Sequence, residues 1–280
     1  MNIRISADST CDLSPELVRE NGVTITPLYI VCGEKSLVDG VDIAPDDVFA
    51  WTRDHKKPCS TAAVNVADYL KVFGELRQEC DAVIHFTISA EMSSCYLNAC
   101  TAAEQIGGVY VIDSRSLSTG IGLLVMEAAV MAQEGKSAKE IVAHVTSLIP
   151  LVRASFVVDT LTFLHRCGRC SGAAALMGSM LKLHPKIVVR DGQMLVDKKY
   201  RGSLARCIPA YTHDLHDDLL RARPERVFIT HSGCSPEVVE KVRSYLEELH
   251  IFDEILITRA GGVISSHCGP GTLGVLFIEK

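Results

Sequence analysis

The order of apolar segments along the chain predicts an α/β protein of two lobes, each with a mostly parallel sheet flanked by helices. At 280 residues the chain exceeds an ordinary single domain, and its 48% apolar residues can fill a large core. Short β-rich runs alternate with helical patterns in the first half, an order that places parallel strands between covering helices. Pro150 marks the change of lobe, which gives residues 1–150 and 151–280.

In the first lobe, strands and helices are predicted in turn from apolar periodicity. Ser14 is placed to cap the first helix and Pro15 to occupy its first turn, while Gly135 ends the last helix of the lobe. The predicted strands are IRISAD, VTITPLYIV, AVIHFTIS and VYVID, and the predicted helices are SPELVREN, NVADYLKVFGELRQEC, SCYLNACTAAEQI and GIGLLVMEAAVMAQEG.

The second lobe follows a bridging segment, SAKEIVAHVTSLIPLVR. Asp191-Gly192 has the composition of a two-residue hairpin turn inside PKIVVRDGQMLV. An aliphatic helix, AAALMGSMLKL, is a candidate for the wall of a ligand tunnel between sheet and helices, with ordinary core packing as the alternative. The other predicted elements are the strands RASFVVD, RVFITHS, EILITRAG and LGVLFIEK, a helix from Leu204, and the helix PEVVEKVRSYLEEL.

Charge and hydropathy exclude several classes of protein. A net charge of -6 gives no broad basic surface for nucleic acid. No apolar run reaches the roughly 18 residues that a membrane span needs. The N-terminal MNIRISADST lacks the apolar core of a signal peptide, and the 11 cysteines are odd in number and scattered. We therefore expect a cytoplasmic protein with reduced thiols.

Cys167 and Cys170 form a Cys-x-x-Cys motif, which raises the alternatives of a zinc site, a redox couple or a turn. Structural zinc takes four ligands, and pairing with His231 and Cys234, or with His267 and Cys268, matches no standard zinc module. Phosphate-loop and nucleophile-elbow motifs are absent from the sequence, and the Gly120-Ile121-Gly122 start of a GxGxxG lies within a helical pattern that suggests close packing. We expect no metal, no cofactor and no catalytic residue.

Hydroxyl-rich loops recur between strands and helices. They contain Asp8-Ser9-Thr10, Ser60-Thr61, Ser89 with Ser93 and Ser94, and Asp113-Ser114 with Ser116 and Ser118. Serine and threonine are common helix caps, but ligands of open parallel sheets bind at the carboxyl ends of strands, where helix N-termini favour anions. Taken together, the loops suggest an anionic ligand.

Five motifs in order resemble those of the DegV family of bacterial fatty-acid-binding proteins, over nearly all of the chain. They are DSTCDL, ISAEMSSCYLNA, VIDSRSLSTGIG, DTLTFLHRCGRCSGAAALMGSMLKLHPKI and SSHCGPGTLGVLF. In this resemblance Cys167 and Cys170 replace a glycine and an isoleucine of a GGRIS turn, so neither is a metal ligand. A positive φ at Cys167 would cost about 1 kcal/mol or more. The family's TSQPS element is reduced to TAAVN, which keeps Thr61 alone.

The resemblance implies a long-chain fatty acid, such as palmitate, in a buried aliphatic tunnel. Thr61 and Ser93 would hold its carboxylate, with Ser94, Arg169 and His267 as expected neighbours of the ligand head. The protein would be a lipid-binding carrier that presents the acid to a fatty acid kinase, with a role in lipid transport or fatty acid metabolism. The alternative is a small-molecule enzyme, a hydrolase or phosphotransferase, that uses the same polar loops.

The basic segment DKKYRGSLAR is the candidate surface for that kinase. It concentrates Lys198, Lys199, Arg201 and Arg206 in an acidic protein. A solvated face is the common explanation of such a run, and a docking patch is the functional one.

Overall fold

The computed structural model describes residues 2–171 and 183–280. We number the elements along these residues. The strands are β1 (Ile3–Asp8), β2 (Thr24–Thr26), β3 (Tyr29–Cys32), β4 (Lys35–Val38), β5 (Ser60–Ala62), β6 (Ala82–Thr87), β7 (Val109–Asp113), β8 (Val152–Val157), β9 (Cys170–Ser171), β10 (Leu183–Arg190), β11 (Gln193–Arg201), β12 (Ala222–His231), β13 (Glu254–Arg259) and β14 (Leu273–Glu279).

The helices cover the sheets and connect their strands. They are α1 (Pro15–Glu20), α2 (Pro45–His55), α3 (Val66–Glu79), α4 (Cys95–Ile106), α5 (Thr119–Gln133), α6 (Ala138–Leu148), α7 (Thr162–Cys167), α8 (Leu204–Asp214), α9 (His216–Leu220), α10 (Pro236–Glu248) and α11 (Gly262–Cys268). As the sequence predicts, the Ser14 side chain accepts a hydrogen bond from the Leu17 N–H at the start of α1.

The N-terminal half of the chain forms a four-stranded sheet in the order β2-β1-β6-β7, and all its pairs are parallel. Every residue of β6 is buried, as expected for a central strand that is covered on both faces. The α/β class and the parallel arrangement predicted from strand–helix alternation are confirmed for this sheet.

The C-terminal half contributes a seven-stranded sheet in the order β13-β12-β14-β8-β10-β11-β9. Here the prediction of mostly parallel pairing is wrong. Only β12–β13 and β11–β9 are parallel, whereas β12–β14, β14–β8, β8–β10 and β10–β11 are antiparallel. Asp191 and Gly192 form the predicted turn between β10 and β11, with φ of 51° and 80°. The division of the chain at residue 150 stays a prediction.

Helix α5 packs against strands of both sheets and carries ten buried residues. A Cβ atom at Gly122 would lie 2.9 Å from the Leu13 side chain and 3.0 Å from the Cys11 carbonyl oxygen. The interpretation of Gly120-Ile121-Gly122 as a close-packing feature is therefore confirmed at Gly122. In the described part of the chain, no helix is both long and apolar enough to span a membrane.

A third, three-stranded sheet in the order β4-β3-β5 lies in the N-terminal half. Its strands are antiparallel, and β5 pairs with β3 through Tyr29–Ala62, Ile30–Thr61 and Val31–Ser60. The sequence analysis predicts neither β4 nor β5, and it predicts β2 and β3 as one strand. This small sheet matters because β5 carries Thr61.

Candidate functional site

A cavity of about 120 Å³ lies between the two halves of the chain and gathers all five predicted site residues. Thr61, Ser93 and Ser94 come from the N-terminal half, and Arg169 and His267 from the C-terminal half. The remaining lining residues are mostly apolar: Leu28, Ala62, Ala63, Ile88, Met92, Leu117, Met194, Val263, Ile264 and Cys268. The cavity thus combines a small polar group of side chains with an apolar lining, the composition typical of a small-molecule site.

The sequence predicts Thr61 in a loop before a helix, but the structure places it on strand β5. Its partner on β3 is Ile30, which is fully buried. The Thr61 Oγ1 lies 2.8 Å from the His267 Nε2, a hydrogen bond that joins residues 206 positions apart. Thr61 is therefore held by an edge strand and by a side chain from the other half of the molecule.

His267 lies near the end of α11 and is neutral at pH 7. Burial is the main cause and the nearby Arg169 charge the second, and together they lower the pKa of His267 to about 4. A neutral imidazole can donate its Nε2–H to the Thr61 oxygen, which leaves the Thr61 proton free for an acceptor in the cavity. The same low pKa makes His267 a weak general base at neutral pH.

Ser93 lies just before α4, as the sequence predicts. Its Oγ accepts from the Cys95 N–H at 3.2 Å and donates to the Cys95 Sγ at 3.2 Å. Sulfur is a weak acceptor, so a carboxylate in the cavity would compete well for the Ser93 proton. The N-terminus of α4 adds a partial positive charge on the same side.

Arg169 and Ser94 are exposed, and they line the rim of the cavity. The Arg169 Nη1 donates to the Cys167 carbonyl oxygen at 2.6 Å. Cys167 is the last residue of α7, and the left-handed conformation with φ of 66° falls on Gly168. The strain considered for a cysteine at position 167 is therefore absent.

The Cys-x-x-Cys motif itself spans the end of α7 and the start of β9. The Cys167 Sγ donates to the Leu164 carbonyl oxygen at 3.1 Å, and burial raises the pKa of Cys170 to about 11. Over residues 2–171 and 183–280, no three His, Cys, Asp or Glu side chains are grouped so that they could hold a metal ion.

In the other hydroxyl-rich loops, serine side chains form hydrogen bonds to other segments of the protein and do not line this cavity. Ser9 donates to Asp39 at 2.7 Å, Ser89 to the Gly192 carbonyl oxygen at 2.8 Å, and Ser118 to Asp12 at 2.5 Å. Hydrogen bonds between segments of the protein thus account for Ser9, Ser89 and Ser118. Of all the residues in the hydroxyl-rich loops, which lie in the described part of the chain, only Thr61, Ser93 and Ser94 line the cavity.

A second, apolar cavity of about 20 Å³ adjoins the first and shares Leu117, Ile264 and Cys268 with it. Phe156 and Leu276 extend its lining toward the large sheet. Sequence reasoning missed these residues because each reads as ordinary core. The segment AAALMGSMLKL, predicted as a tunnel wall, has all but its last residue outside the described part of the chain.

Helix α11 connects the site to the rest of the N-terminal half. The Gly261 N–H donates to Asp12 at 2.8 Å and the Gly262 N–H to Asp39 at 2.9 Å. Burial raises the pKa of both carboxyl groups, that of Asp12 to about 8. Both ends of α11 therefore contact the N-terminal half, through the Asp12 and Asp39 side chains at its start and through His267 and Thr61 near its end.

A larger groove of about 750 Å³ lies elsewhere and includes none of the predicted site residues. Its cations are paired with acids, as in Lys186–Asp197 at 3.1 Å and Arg221–Glu279 at 2.9 Å. Paired surface charges offer little to a ligand. The smaller cavity is the better candidate because the hydroxyls of Thr61 and Ser93 and the imidazole of His267 line it together with apolar side chains.

Fold and cavity together define a class: an α/β protein with two large sheets and a cavity lined by hydroxyl, imidazole and apolar side chains. A family model described as "Uncharacterised protein, DegV family" matches residues 2–280. The chain belongs to the DegV family.

Individual relatives agree with this assignment. A DegV domain-containing protein of Caldanaerobacter subterraneus is 33% identical over 282 residues, which cover 99% of each chain. A fatty-acid-binding DegV family protein from Thermus thermophilus superposes with a TM-score of 0.92 at 29% identity, over 100% of both chains. A stearic-acid-binding protein from Eubacterium ventriosum superposes with a TM-score of 0.85 at 26% identity, over 99% of this chain and 98% of the other.

Proposed function

We propose that this protein binds a long-chain fatty acid, such as palmitate, with its carboxylate at Thr61 and Ser93. The observation that carries the proposal is the convergence of both hydroxyls, from separate segments, in one cavity with an apolar interior. The solved relatives described as fatty-acid-binding and stearic-acid-binding support the same ligand class.

Burial of the acyl chain supplies most of the affinity. At about 0.8 kcal/mol per methylene, a C16 to C18 chain contributes roughly 12 kcal/mol before the costs of binding. Hydrogen bonds to the carboxylate add about 1.5–3 kcal/mol each. The hydroxyls therefore orient the head group, while the apolar residues provide affinity.

The path of the acyl chain runs from the first cavity toward the second. Their volumes are about 120 Å³ and 20 Å³, and a cavity that holds one water has about 10–15 Å³, so the second has room for about one water molecule. We propose that the first cavity receives the head group, and that the side chains around Leu117, Ile264 and Cys268 separate when the acyl chain enters.

The test is native mass spectrometry of the purified protein, followed by titration with palmitate. We expect a bound fatty acid, and Ser93→Ala should weaken binding about tenfold to a hundredfold through one lost charged hydrogen bond. Thr101→Ala is the matched control, since the Thr101 hydroxyl lies on the exposed face of α4 and bonds to the Leu97 carbonyl oxygen. Full affinity of both Ser93→Ala and Thr61→Ala would contradict the assignment.

We further propose that the protein is a carrier that presents the acid to a fatty acid kinase. The weak basicity of His267 favours a binding role over a hydrolase role for the Thr61–His267 pair. Lys199, Arg201 and Arg206 are exposed, while Lys198 is paired with Asp214 at 2.5 Å. Lys198 is exposed as well, but its ion pair leaves Lys199, Arg201 and Arg206 as the candidate docking patch.

Charge reversal tests the docking patch. Arg201→Glu should slow formation of the acyl-phosphate by the kinase at low salt while palmitate affinity is unchanged, because rim charges steer encounter. Lys139→Glu, an exposed cation on α6, is the control. Equal kinase turnover in the two variants would exclude this surface.

A further inference from the structure

Cys32 and Cys59 form a buried thiol pair beside the strand that carries Thr61. Their Sγ atoms lie 2.7 Å apart, and each residue is 6% exposed. The pairing of β3 with β5 runs from Tyr29–Ala62 to Val31–Ser60, and one further step of this antiparallel register places Cys32 opposite Cys59. Cys32 is the last residue of β3 and Cys59 immediately precedes β5, so the pairing of these strands holds the two segments side by side.

Directly opposed residues of an antiparallel pair have Cα atoms about 4.5–5.5 Å apart. Disulfides span Cα separations of about 4.4–6.8 Å, so this position suits a disulfide without a change of strand register. The two Sγ atoms, now 2.7 Å apart, need to approach by about 0.65 Å to reach the disulfide bond length of about 2.05 Å. The exposed residues Lys56 and Lys57 lie three and two positions before Cys59, so the thiol pair is close to the surface along the chain.

We propose that Cys32 and Cys59 are a redox modification site, which a hydroperoxide oxidises to a disulfide that fixes the start of β5. One thiolate attacks the peroxide; an S–O bond forms, the O–O bond breaks, and the leaving oxygen departs as water after protonation. The second sulfur then attacks the sulfenic acid, an S–S bond forms and a second water leaves. Overall, two thiols and one hydrogen peroxide give one disulfide and two waters.

The environment of the pair sets the rate of this reaction. Burial, and then the hydrogen bond with Cys32, raises the pKa of Cys59 to about 12, so the reactive thiolate is scarce at neutral pH. The rate should therefore rise about tenfold per pH unit between pH 7 and 9. A slow thiol pair of this kind would respond to sustained oxidation and not to a brief pulse.

The consequence for ligand exchange rests on the proposed function. Thr61 lies two residues beyond Cys59 on the same chain segment, and its hydroxyl contacts His267. A cross-link at Cys59 restricts the movement of β5 away from β3. Fatty acid release should then be several-fold slower from the oxidised protein than from the reduced protein.

The primary experiment treats the full chain with hydrogen peroxide and maps its peptides without reduction. We expect a peptide that links Cys32 to Cys59, with two of the 11 thiols lost. Neither Cys32→Ser nor Cys59→Ser should form it, whereas Cys167→Ser, which removes the Cys-x-x-Cys motif, should form it at the rate of the native chain. Retention of all thiols, sulfinic acid without a cross-link, or a Cys167–Cys170 link in its place would overturn the proposal.

Stability and release give two further measurements. The cross-link closes a separation of 27 residues, so oxidised protein should unfold at a higher urea concentration than reduced protein, and Cys59→Ser should show no such difference. Palmitate release is compared in the same samples. If the cross-link forms but palmitate release is unchanged, the disulfide does not slow release through β5, and that part of the proposal is wrong. If the reduced protein does not bind palmitate, the proposed function alone is wrong.

Discussion

The two hydroxyls at the candidate site are held in opposite ways. Ser93 is fixed locally, by the N–H and the sulfur of Cys95 two residues ahead, at the start of a twelve-residue helix. Thr61 lies on a three-residue edge strand, and its hydroxyl contacts His267 from the far half of the sequence. One hydroxyl therefore depends on a single helix, and the other depends on the two halves of the molecule being in contact.

The largest effect should come from removing both hydroxyls. If each supplies a charged hydrogen bond of about 1.5–3 kcal/mol, the Thr61→Ala, Ser93→Ala double variant loses about 3–6 kcal/mol of binding free energy for palmitate. Calorimetric titration measures this, with Ser60→Ala, Thr101→Ala as the control pair from the same two elements. A loss no larger than that of one single variant would show that the two hydroxyls do not share a carboxylate.

The pH dependence of folding stability should reveal the contribution of His267, the partner of Thr61. The pKa of His267 is about 4 in the folded protein and about 6.5 when unfolded, so the unfolded chain binds more protons between these values. Its stabilising contribution is therefore lost as pH falls from 6.5 to 4, by up to about 1.4 kcal/mol per pH unit. The contribution of Asp12, whose pKa is raised to about 8, has the opposite sign and is lost as pH rises from about 4 to 8.

Urea unfolding of the native chain and of His267→Gln at several pH values separates the two contributions. The difference between the curves should change between pH 4 and 6.5 and be constant from pH 6.5 to 8. A constant difference over the whole range would mean that folding does not lower the pKa of His267.

A double-mutant cycle tests whether His267 acts through Thr61. His267→Gln should weaken palmitate binding in the native background and have little further effect once Thr61 is alanine, with a coupling of about 1–2 kcal/mol. The same substitution combined with Ser93→Ala should be additive. If the coupling of His267 to Ser93 equalled its coupling to Thr61, His267 would not act on Thr61 alone, and the two hydroxyls would not differ in what holds them.

The smallest effect is expected at Cys95. Cys95→Ala removes the sulfur that accepts from Ser93 but retains the backbone N–H that orients the Ser93 oxygen. Since sulfur is a weak acceptor, we expect palmitate affinity to change by no more than about threefold. A loss as large as that of Ser93→Ala would mean that the sulfur, and not the helix start, positions this hydroxyl.

Ser93 and Thr61 also differ in how far sequence could find them. Ser93 follows a buried strand and precedes a periodic helix, so its place is evident from the pattern as well as from the family resemblance. The pattern of hydroxyl-rich loops includes Thr61 as well, but it predicts a loop there and not a strand. Its strand has three residues, too few to show a period of two, and its contact with His267 spans 206 positions.

Long sequence separation also explains why the antiparallel pairing in the seven-stranded sheet was not predicted. Apolar runs such as RASFVVD and LGVLFIEK are compatible with parallel or antiparallel pairing, because a strand covered on both faces looks alike in either case. In the structure these two runs form β8 and β14, which pair with each other although more than 100 residues separate them. Local features were predictable by contrast: the cap at Ser14, the turn at Asp191-Gly192 and the close packing at Gly122 each depend on a few neighbouring residues.

The attachment of α11 at both ends has a consequence for how a ligand can enter. A hinge motion that parted the two halves at the cavity would have to break the bonds of Gly261 to Asp12 and of Gly262 to Asp39, together with that of His267 to Thr61. Because one short helix carries all three, its displacement is close to an all-or-none event. In such a motion the bonds at Asp12 and Asp39 would hold the site closed together with the Thr61–His267 bond, although neither aspartate lines the cavity.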